Sequence, residues 1–459
     1  MAFKDSELIH LEDDIQKIQV KTNMYINEYG EQGAFHLARE IIQNNIDECI
    51  DKDSPGNTID ITYDIATDIM SATDNGRSFN ESKYPMKVFC TTLQSGSKFF
   101  RESGSDSAGE FGVGLSVCNA LSDYFKMIAY RTEENTVHTI EFSEGVLVKD
   151  EIKPNKKGKQ GTTVEFRVSK KYMGEDAKLP IDDVINWLNT LFYLRTDKFE
   201  KKGIKASITV YDGMTLKKTV KFKPKPFYDL LSKIIPADVK KKDLSDLVHI
   251  SGDTSLMEDS KILKQEADGT TAVVKKKLKK DIHMDVAFQY VTSVEHDDSA
   301  VYDTYCNFTN TINNGSHLDA FDEAYCRYIQ YKAMDSMSEN QRSKMKVTWD
   351  DIRTNLYCIV SLSTNAYVGF VGNAKNQIMS PKLVPYMKDL ITSKLDEFFK
   401  ANPKILEDII KIVKINVKAR MEALKAKSAT QVERLNTFKE HKLILCSINP
   451  FNCWELLRA

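Results

Sequence analysis

Nothing in the 459 residues is long and apolar enough to span a bilayer, since the longest hydrophobic runs fall far short of the ~18 residues a crossing helix needs. The opening MAFKDSELIHLEDD is acidic and lacks a basic segment followed by an apolar one, which excludes a secretory signal. The eight cysteines include no CxxC pair, and Cys446 and Cys453 have no His or Cys neighbour. Reduced thiols in a cytoplasmic protein are expected, not a disulfide framework or a zinc site. Charge of one sign is also missing: the net charge is −2, so any nucleic-acid surface must be local. There is no solenoid repeat and no low-complexity tract. What remains, 41% apolar and 28% charged residues, suits a folded chain of two or three domains.

Residues 33–50, GAFHLAREIIQNNIDECI, carry Phe35, Ala38, Ile42 and Cys49 at helical spacing, widened by Ile41 and Ile46. TIDITYDI (58–65) alternates strictly and predicts a half-buried strand, and IMSAT predicts a second that runs into the turn Asp74-Asn75-Gly76. A Ser/Gly-rich loop over 95–109 precedes EFGVGLSVCNALSDYF, read as a glycine turn that opens an apolar helix. Strands are expected near 136–148, 161–168 and 205–211, and a helix at 181–194. A second unit begins near Lys223. Its front, 236–282, is polar and lysine-rich, with strand patterns at 284–293 and 355–363. From Ser380 the chain reads as helical, broken and restarted at Asn402-Pro403 by an N-cap and a first-turn proline.

Four features could carry chemistry. On the polar face of the first helix, Glu40, Asn44 and Asp47/Glu48 stack at one-turn steps, so a carboxylate and an amide could hold a water and a hard cation. Alone, this reads more readily as a solvated helix face. Asp74 at a strand end could accept a hydrogen bond from an amino group, or it could belong to a plain turn. Gly109-Glu110-Phe111-Gly112-Val113-Gly114 leads into a helix N-terminus, where backbone N–H groups can approach a phosphate. It follows a polar loop, not a strand, which rules out a dinucleotide fold, and no Lys-Ser/Thr follows to make a P-loop. Gly161-Thr162-Thr163 could be a simple strand start.

Taken in order, E-x-x-x-N on a helix, DxGR, a polar loop with GxxGxG, and GTT resemble the GHKL ATPases, a family that includes gyrase-type topoisomerases, Hsp90, MutL and histidine kinases. Within that family NMYIN (23–27), FHLAREIIQNNIDE, LQSGSKF (93–99) and GEFGVGLSVCNALS resemble gyrase B segments. So do FTNTINNGSHLDAF (308–321), VTWDDIRTNLYCIVSL (347–362) and GFVGNAKNQI (369–378), the last three from the transducer that Hsp90, MutL and histidine kinases lack. The resemblance runs from about residue 11 to 456 and implies the ATPase and transducer parts of a type IIA DNA topoisomerase.

The implied fold is α+β: a GHKL (Bergerat) α/β sandwich with a mixed, mainly antiparallel sheet over 1–222 with an N-terminal arm, an S5-like α/β transducer over 223–400, and a long C-terminal helix and stub over 401–459. The implied cofactors are ATP and Mg²⁺. Glu40 would be the general base, Asn44 the Mg²⁺ ligand and Asp74 the adenine acceptor, with Thr162 beside it. Gly109, Gly112, Val113, Gly114 and Leu115 would line the phosphates, Lys98 the lid, and Lys375 with Asn373 the loop that reaches the γ-phosphate. Glu48 and Arg77, next to Gly76, would pair at the rim, and Tyr25 and Ile26 would belong to the dimer-forming arm. Implied partners are DNA, a second copy on ATP binding, and a TOPRIM-bearing cleavage subunit, in the cytoplasm of a bacterium or a phage-infected host and not at a membrane. LILCSINPFNCWELLRA resembles the stretch that runs into TOPRIM, which implies a piece of a longer chain or a split subunit that does not cut DNA alone.

Departures from the family pattern point to a divergent, phage-like lineage. Ser78 replaces the second glycine of DxGxG and implies a stiffer or differently shaped turn. Gln43 replaces an Asp, Asn373 and Ala374 replace Gln and Thr, and Thr22 and Asn23 replace Pro and Gly. Another GHKL machine, or a dimerising scaffold without turnover, is the competing reading. The lysines at 275–280 would face either DNA or solvent.

Overall fold

Two mixed sheets, each with a helix-covered face, organise the chain. The computed structural model describes residues 13–26, 28–79, 85–93, 112–265, 271–293, 299–371 and 376–448. Helix α1 (Asp14–Val20) is capped by Asp13, whose side chain accepts from the Ile15 amide at 2.8 Å. Helix α2 (Gly30–Ile50) starts three residues before its expected position and buries Leu37, Ala38, Ile41, Ile42 and Ile46. Ile26, expected in a dimer arm, is only 1% exposed and belongs to the same core.

Strands β1 (Thr58–Asp64) and β2 (Ile69–Asp74) follow as a hairpin, with Ile59, Ile61 and Tyr63 inward as their alternation requires. After α3 (Met86–Thr91), helix α4 (Gly114–Ala120) is shorter than the sequence suggests. The chain leaves it at Leu121 for β3 (Ser122–Arg131), where Phe125, Met127 and Ala129 alternate inward and so take strand period, not helix period. The segment expected as one strand over 136–148 is two, β4 (Thr136–Ser143) and β5 (Val146–Pro154), joined by a tight turn with Glu144 at φ 50° and Gly145 at φ 81°. Strand β6 (Gly161–Val168), helices α5 (Lys170–Met173), α6 (Ile181–Leu194) and α7 (Thr196–Lys202), and strands β7 (Lys205–Asp212) and β8 (Thr215–Phe222) complete this unit. Sheet order is β5-β4-β3-β6-β2-β1-β7-β8, antiparallel throughout except where β1 and β7 run parallel. Edge strands β5 and β8 are almost wholly exposed, so they show no alternation to read.

The lysine-rich front of the second unit forms two long strands, β9 (Val248–Gln265) and β10 (Thr271–Tyr290). Cross-strand pairing there overrides the weak strand preference of lysine. Strands β11 (Val301–Cys306) and β12 (Thr309–Asn310), helices α8 (Ser316–Asp335), α9 (Glu339–Lys344) and α10 (Trp349–Arg353), and β13 (Leu356–Thr364) give the order β12-β11-β13-β10-β9, with only β11–β13 parallel. Helices α11 (Val384–Ala401) and α12 (Pro403–Ile448) close the fold, and Ile409, Ile410, Val413 and Val417 of α12 are buried. Asn402 sits between them. Its carbonyl accepts from Ile405 and its side chain turns back to donate to the Phe398 carbonyl at 2.9 Å, so the expected N-cap residue also closes the helix before it.

The second unit has its own core, but the first core reaches into it. Phe227, Leu230 and Leu231 share one buried cluster with Ala287, Tyr305, Phe308 and Ile359 of the second sheet, and the Arg195 guanidinium lies 3.4 Å above the Phe308 ring. The six described cysteines are buried free thiols, and no described helix is long and apolar enough to cross a membrane.

Candidate functional site

Helix α2 carries Glu40 and Asn44 one turn apart, Asn44 exposed and the Glu40 side chain 37% exposed, with His36 Nε2 3.9 Å from Glu40 Oε1. Facing them is the first turn of α4, with Gly112 in left-handed backbone at φ 59°. The fit is close at Gly114, where an added Cβ would lie 2.4 Å from Glu40 Oε2. Any side chain there would push the carboxylate away. Val113 and Leu115 pack beside it on the core.

Asp74 ends β2 and is only 4% exposed. Its Oδ1 accepts from the Gly76 amide at 2.8 Å and its Oδ2 from Asn45 Nδ2 at 2.7 Å, and the Thr162 amide also donates to it. Burial pushes the carboxyl up to about 6 despite these donors, which work the other way. Gly161 lets β6 come this close: it has φ 111°, and an added Cβ would stand 1.9 Å from the Asp74 carbonyl oxygen. Thr162 is itself buried next to the turn.

Beyond the turn Arg77 grips Glu48 with a two-pronged pair, Nε to Oε1 at 2.9 Å and Nη2 to Oε2 at 2.8 Å, and adds Asp51 at 3.2 Å. Burial pushes the Glu48 carboxyl up, but the Arg77 guanidinium and amide outweigh it and hold it below its ordinary value. Ser78 keeps φ at 66°, the left-handed conformation a glycine would adopt at no cost, so the turn is strained. Its hydroxyl is buried with no hydrogen-bond partner among the described residues. Relief of about 1–2 kcal/mol of backbone strain, less about 0.4–1 kcal/mol of added freedom in the unfolded chain, predicts that Ser78→Gly stabilises the protein by roughly 1 kcal/mol. Urea unfolding would read this as a higher midpoint at unchanged slope, and a lower midpoint would refute it.

Glu40, Asn44, Glu48, Asp74, Gly76, Arg77, Gly112, Val113, Gly114, Leu115 and Thr162 thus gather along α2, the β2 turn, the start of α4 and the start of β6. Lys98, Gly109, Asn373, Ala374 and Lys375 lie outside the described residues. A shallow depression of about 370 Å³ on the uncovered face of the first sheet, lined by Asp60, Ser71, Thr73, Thr163 and Glu165, shares only Asp74 with the expected set. Sequence reasoning missed Asn45 and Asp51. Asn45 had a visible signal, an amide on the apolar stripe between Ile41 and Ile46, where burial without a partner is costly.

Both units match known proteins. A model for the histidine kinase-, DNA gyrase B- and HSP90-like ATPases matches residues 31–171, and one for DNA gyrase B matches residues 247–429. Its two units are thus similar to the ATPase and DNA gyrase B parts of such proteins, in that order along the chain. It is 24% identical over 439 residues to the DNA gyrase B protein of Spiroplasma citri, covering 93% of this chain and 61% of that protein. It is 24% identical over 458 residues to the corresponding DNA topoisomerase 4 protein of Mycoplasma capricolum, covering 97% and 63%. Among solved structures, the 43K ATPase domain of Thermus thermophilus gyrase B in complex with an aminocoumarin overlays at TM-score 0.65 and 22% identity, covering 90% of this chain and 98% of that one. The ATPase region of Saccharomyces cerevisiae topoisomerase II overlays at 0.55 and 14%, covering 89% of this chain and 100% of that one. The chain spans about three fifths of the length of the curated relatives it matches, and its two mixed sheets have the fold of the gyrase B ATPase domain.

Proposed function

We propose that the chain is the ATP-binding and ATP-hydrolysing gate of a type IIA DNA topoisomerase. The observation that carries this reading is Glu40 set against the first turn of α4 on one side of the site, with Asp74 held as a buried acceptor on the other. Asp74 takes the adenine amino group, with Thr162 beside it. The backbone of Gly112, Val113, Gly114 and Leu115 faces the phosphates. Glu40 orients and deprotonates the attacking water, and the Glu48–Arg77 pair stiffens the rim next to Gly76. Asn44, an exposed neutral oxygen donor one turn from Glu40, suits Mg²⁺, which binds through few protein ligands and keeps its remaining sites for water and phosphate. The bound ion would neutralise phosphate charge. By resemblance, Lys98 and Gly109 belong to the lid, and Asn373 and Lys375 to the loop that contacts the γ-phosphate.

In this reading ATP joins two copies, a DNA segment is enclosed, and hydrolysis reopens the gate, with DNA cleavage supplied by a TOPRIM-bearing partner in the cytoplasm. Val20, Met24 and Tyr29, exposed at 61%, 68% and 52% and following the N-terminal segment in sequence, are apolar side chains that suit a contact between copies. Mg²⁺ and a non-hydrolysable ATP analogue should convert the protein from monomer to dimer in sedimentation velocity, and ATP should be turned over. A protein that stays monomeric and inert under both conditions would overturn the gate.

A further inference from the structure

The β9–β10 hairpin outruns its sheet. Strand β13 pairs with β10 only from Ile282 to Tyr290, whereas β9 pairs with β10 from Phe288 out to Thr271. Residues 255–265 and 271–281 therefore continue as a two-stranded ribbon without a third strand, about 35 Å long at ~3.4 Å per residue. An isolated two-stranded ribbon is marginal in water, and this one carries an unfavourable sequence. Five lysines fall within 275–280. The register sets Lys275, Lys277 and Lys279 on one face, roughly 7 Å apart. Lys276 and Lys280 lie on the other face, on either side of Leu278. Lys275, Lys277 and Lys279 are all exposed.

The opposite strand offers an acid to only one of these three. The register pairs Lys275 with Lys261, a like-charge rung, and Lys279 with Met257, leaving Asp259 opposite Lys277 as the one acid on that face between those rungs. Glu258 lies on the other face, where its carboxylate accepts from the Tyr367 amide at 3.1 Å. Edge protection against strand addition needs an occasional lysine; a row on both faces breaks local rules in the way a binding element does.

We propose that this ribbon is a DNA-binding arm that lays its lysines along the phosphates of duplex DNA. A two-stranded β-ribbon fits the ~12 Å major groove, and lysines on both faces meet the phosphate walls on either side. The choice of DNA as the polyanion rests on the gate reading; the ribbon and its charge do not. The base of the arm is fixed to the second unit, so the arm is carried by it. Thr364 Oγ1 donates to the Asp281 carbonyl at 2.7 Å, and Asn365 Oδ1 accepts the Asp281 amide at 2.7 Å.

The test compares the full chain with the triple variant Lys275→Glu, Lys277→Glu, Lys279→Glu and with its triple Gln counterpart, using a fluorescent 30-base-pair duplex over a salt series. The Gln variant should bind at least tenfold more weakly and lose about 2–3 units from the slope of log affinity against log salt. The Glu variant should bind more weakly still. Circular dichroism and ATP turnover without DNA should match the parent in both. Unchanged affinity and slope in both variants would overturn the arm, as would equal or tighter binding of a single strand of the same length. Loss of DNA-free turnover in the parent itself would count against the gate reading and leave the arm standing.

Discussion

Replacing Glu40 with glutamine should lower ATP turnover by about 10²- to 10⁴-fold, the span expected when a positioned general base is lost, while nucleotide still binds. Glutamine has the same length and volume, so the contact between residue 40 and the backbone of Gly114 survives. What goes is the ability to accept the proton of the attacking water. The half-exposed position argues that the side chain serves the site and not the core: a carboxylate 37% open to solvent on a helix face contributes little to stability. Single-turnover hydrolysis and equilibrium binding of a non-hydrolysable analogue separate the effects. Parental turnover in Glu40→Gln would remove Glu40 from the chemistry. Lost binding with lost turnover would make it a binding group instead.

The second large effect is at Asp74. Asp74→Ala should weaken ATP binding by at least tenfold, because a hydrogen bond to an ionised group is worth about 1.5–3 kcal/mol and the variant also leaves Asn45 Nδ2, the Gly76 amide and the Thr162 amide without their acceptor. Part of the loss can be reproduced without mutation. Burial raises this carboxyl to about 6, so it is ionised at neutral pH and takes up a proton as the pH falls through that value. The protonated form turns an acceptor into a donor facing the adenine amino group. Affinity for ATP should therefore be flat above about pH 7 and decline below about pH 6, more steeply in the parent than in Asp74→Ala. The sign for folding is the opposite. A raised carboxyl favours the folded state most at low pH and loses that contribution as pH rises through about 6, so a fall in affinity on acidification is not a symptom of unfolding at this group. Calorimetric titrations on both sides of that value would measure it, and a parent affinity independent of pH would show that Asp74 does not contact the nucleotide.

Much of this was readable from local pattern. The apolar stripe of 33–50, the alternation of 58–65 and the amphipathic 181–194 each correspond to an observed element because the residue period equals the structural period. The same helix carried Glu40 and Asn44 on its polar face, and the Asp74 turn followed from its own residues. Features set by distant partners were not readable. Asn45 meets Asp74 across 29 positions of sequence, and nothing near it names that partner. Strand β3 was hidden because LSDYF continues the apolar content of α4, and only pairing with β6 and β4 decides that Phe125 starts a period of two. The lysines of β10 have no strand preference of their own, and their register comes from β9. Ile26 lies in a segment that resembles an arm, yet its side chain completes its own unit's core. Ser78 showed the reverse limit: the substitution was visible, but whether the turn would bend or bear the strain depended on the surroundings that hold φ at 66°.

The cluster shared by Phe227, Leu230 and Leu231 with Ala287, Tyr305, Phe308 and Ile359 bears on how the molecule can be dissected. A cut between 222 and 247 looks natural from the strand pattern, but it would strip an apolar seam bare on both products and leave Arg195 without the ring it covers. Each fragment would be a sticky body prone to self-association. Hinge motion between the two sheets then has to slide along a greasy joint instead of opening a wet one.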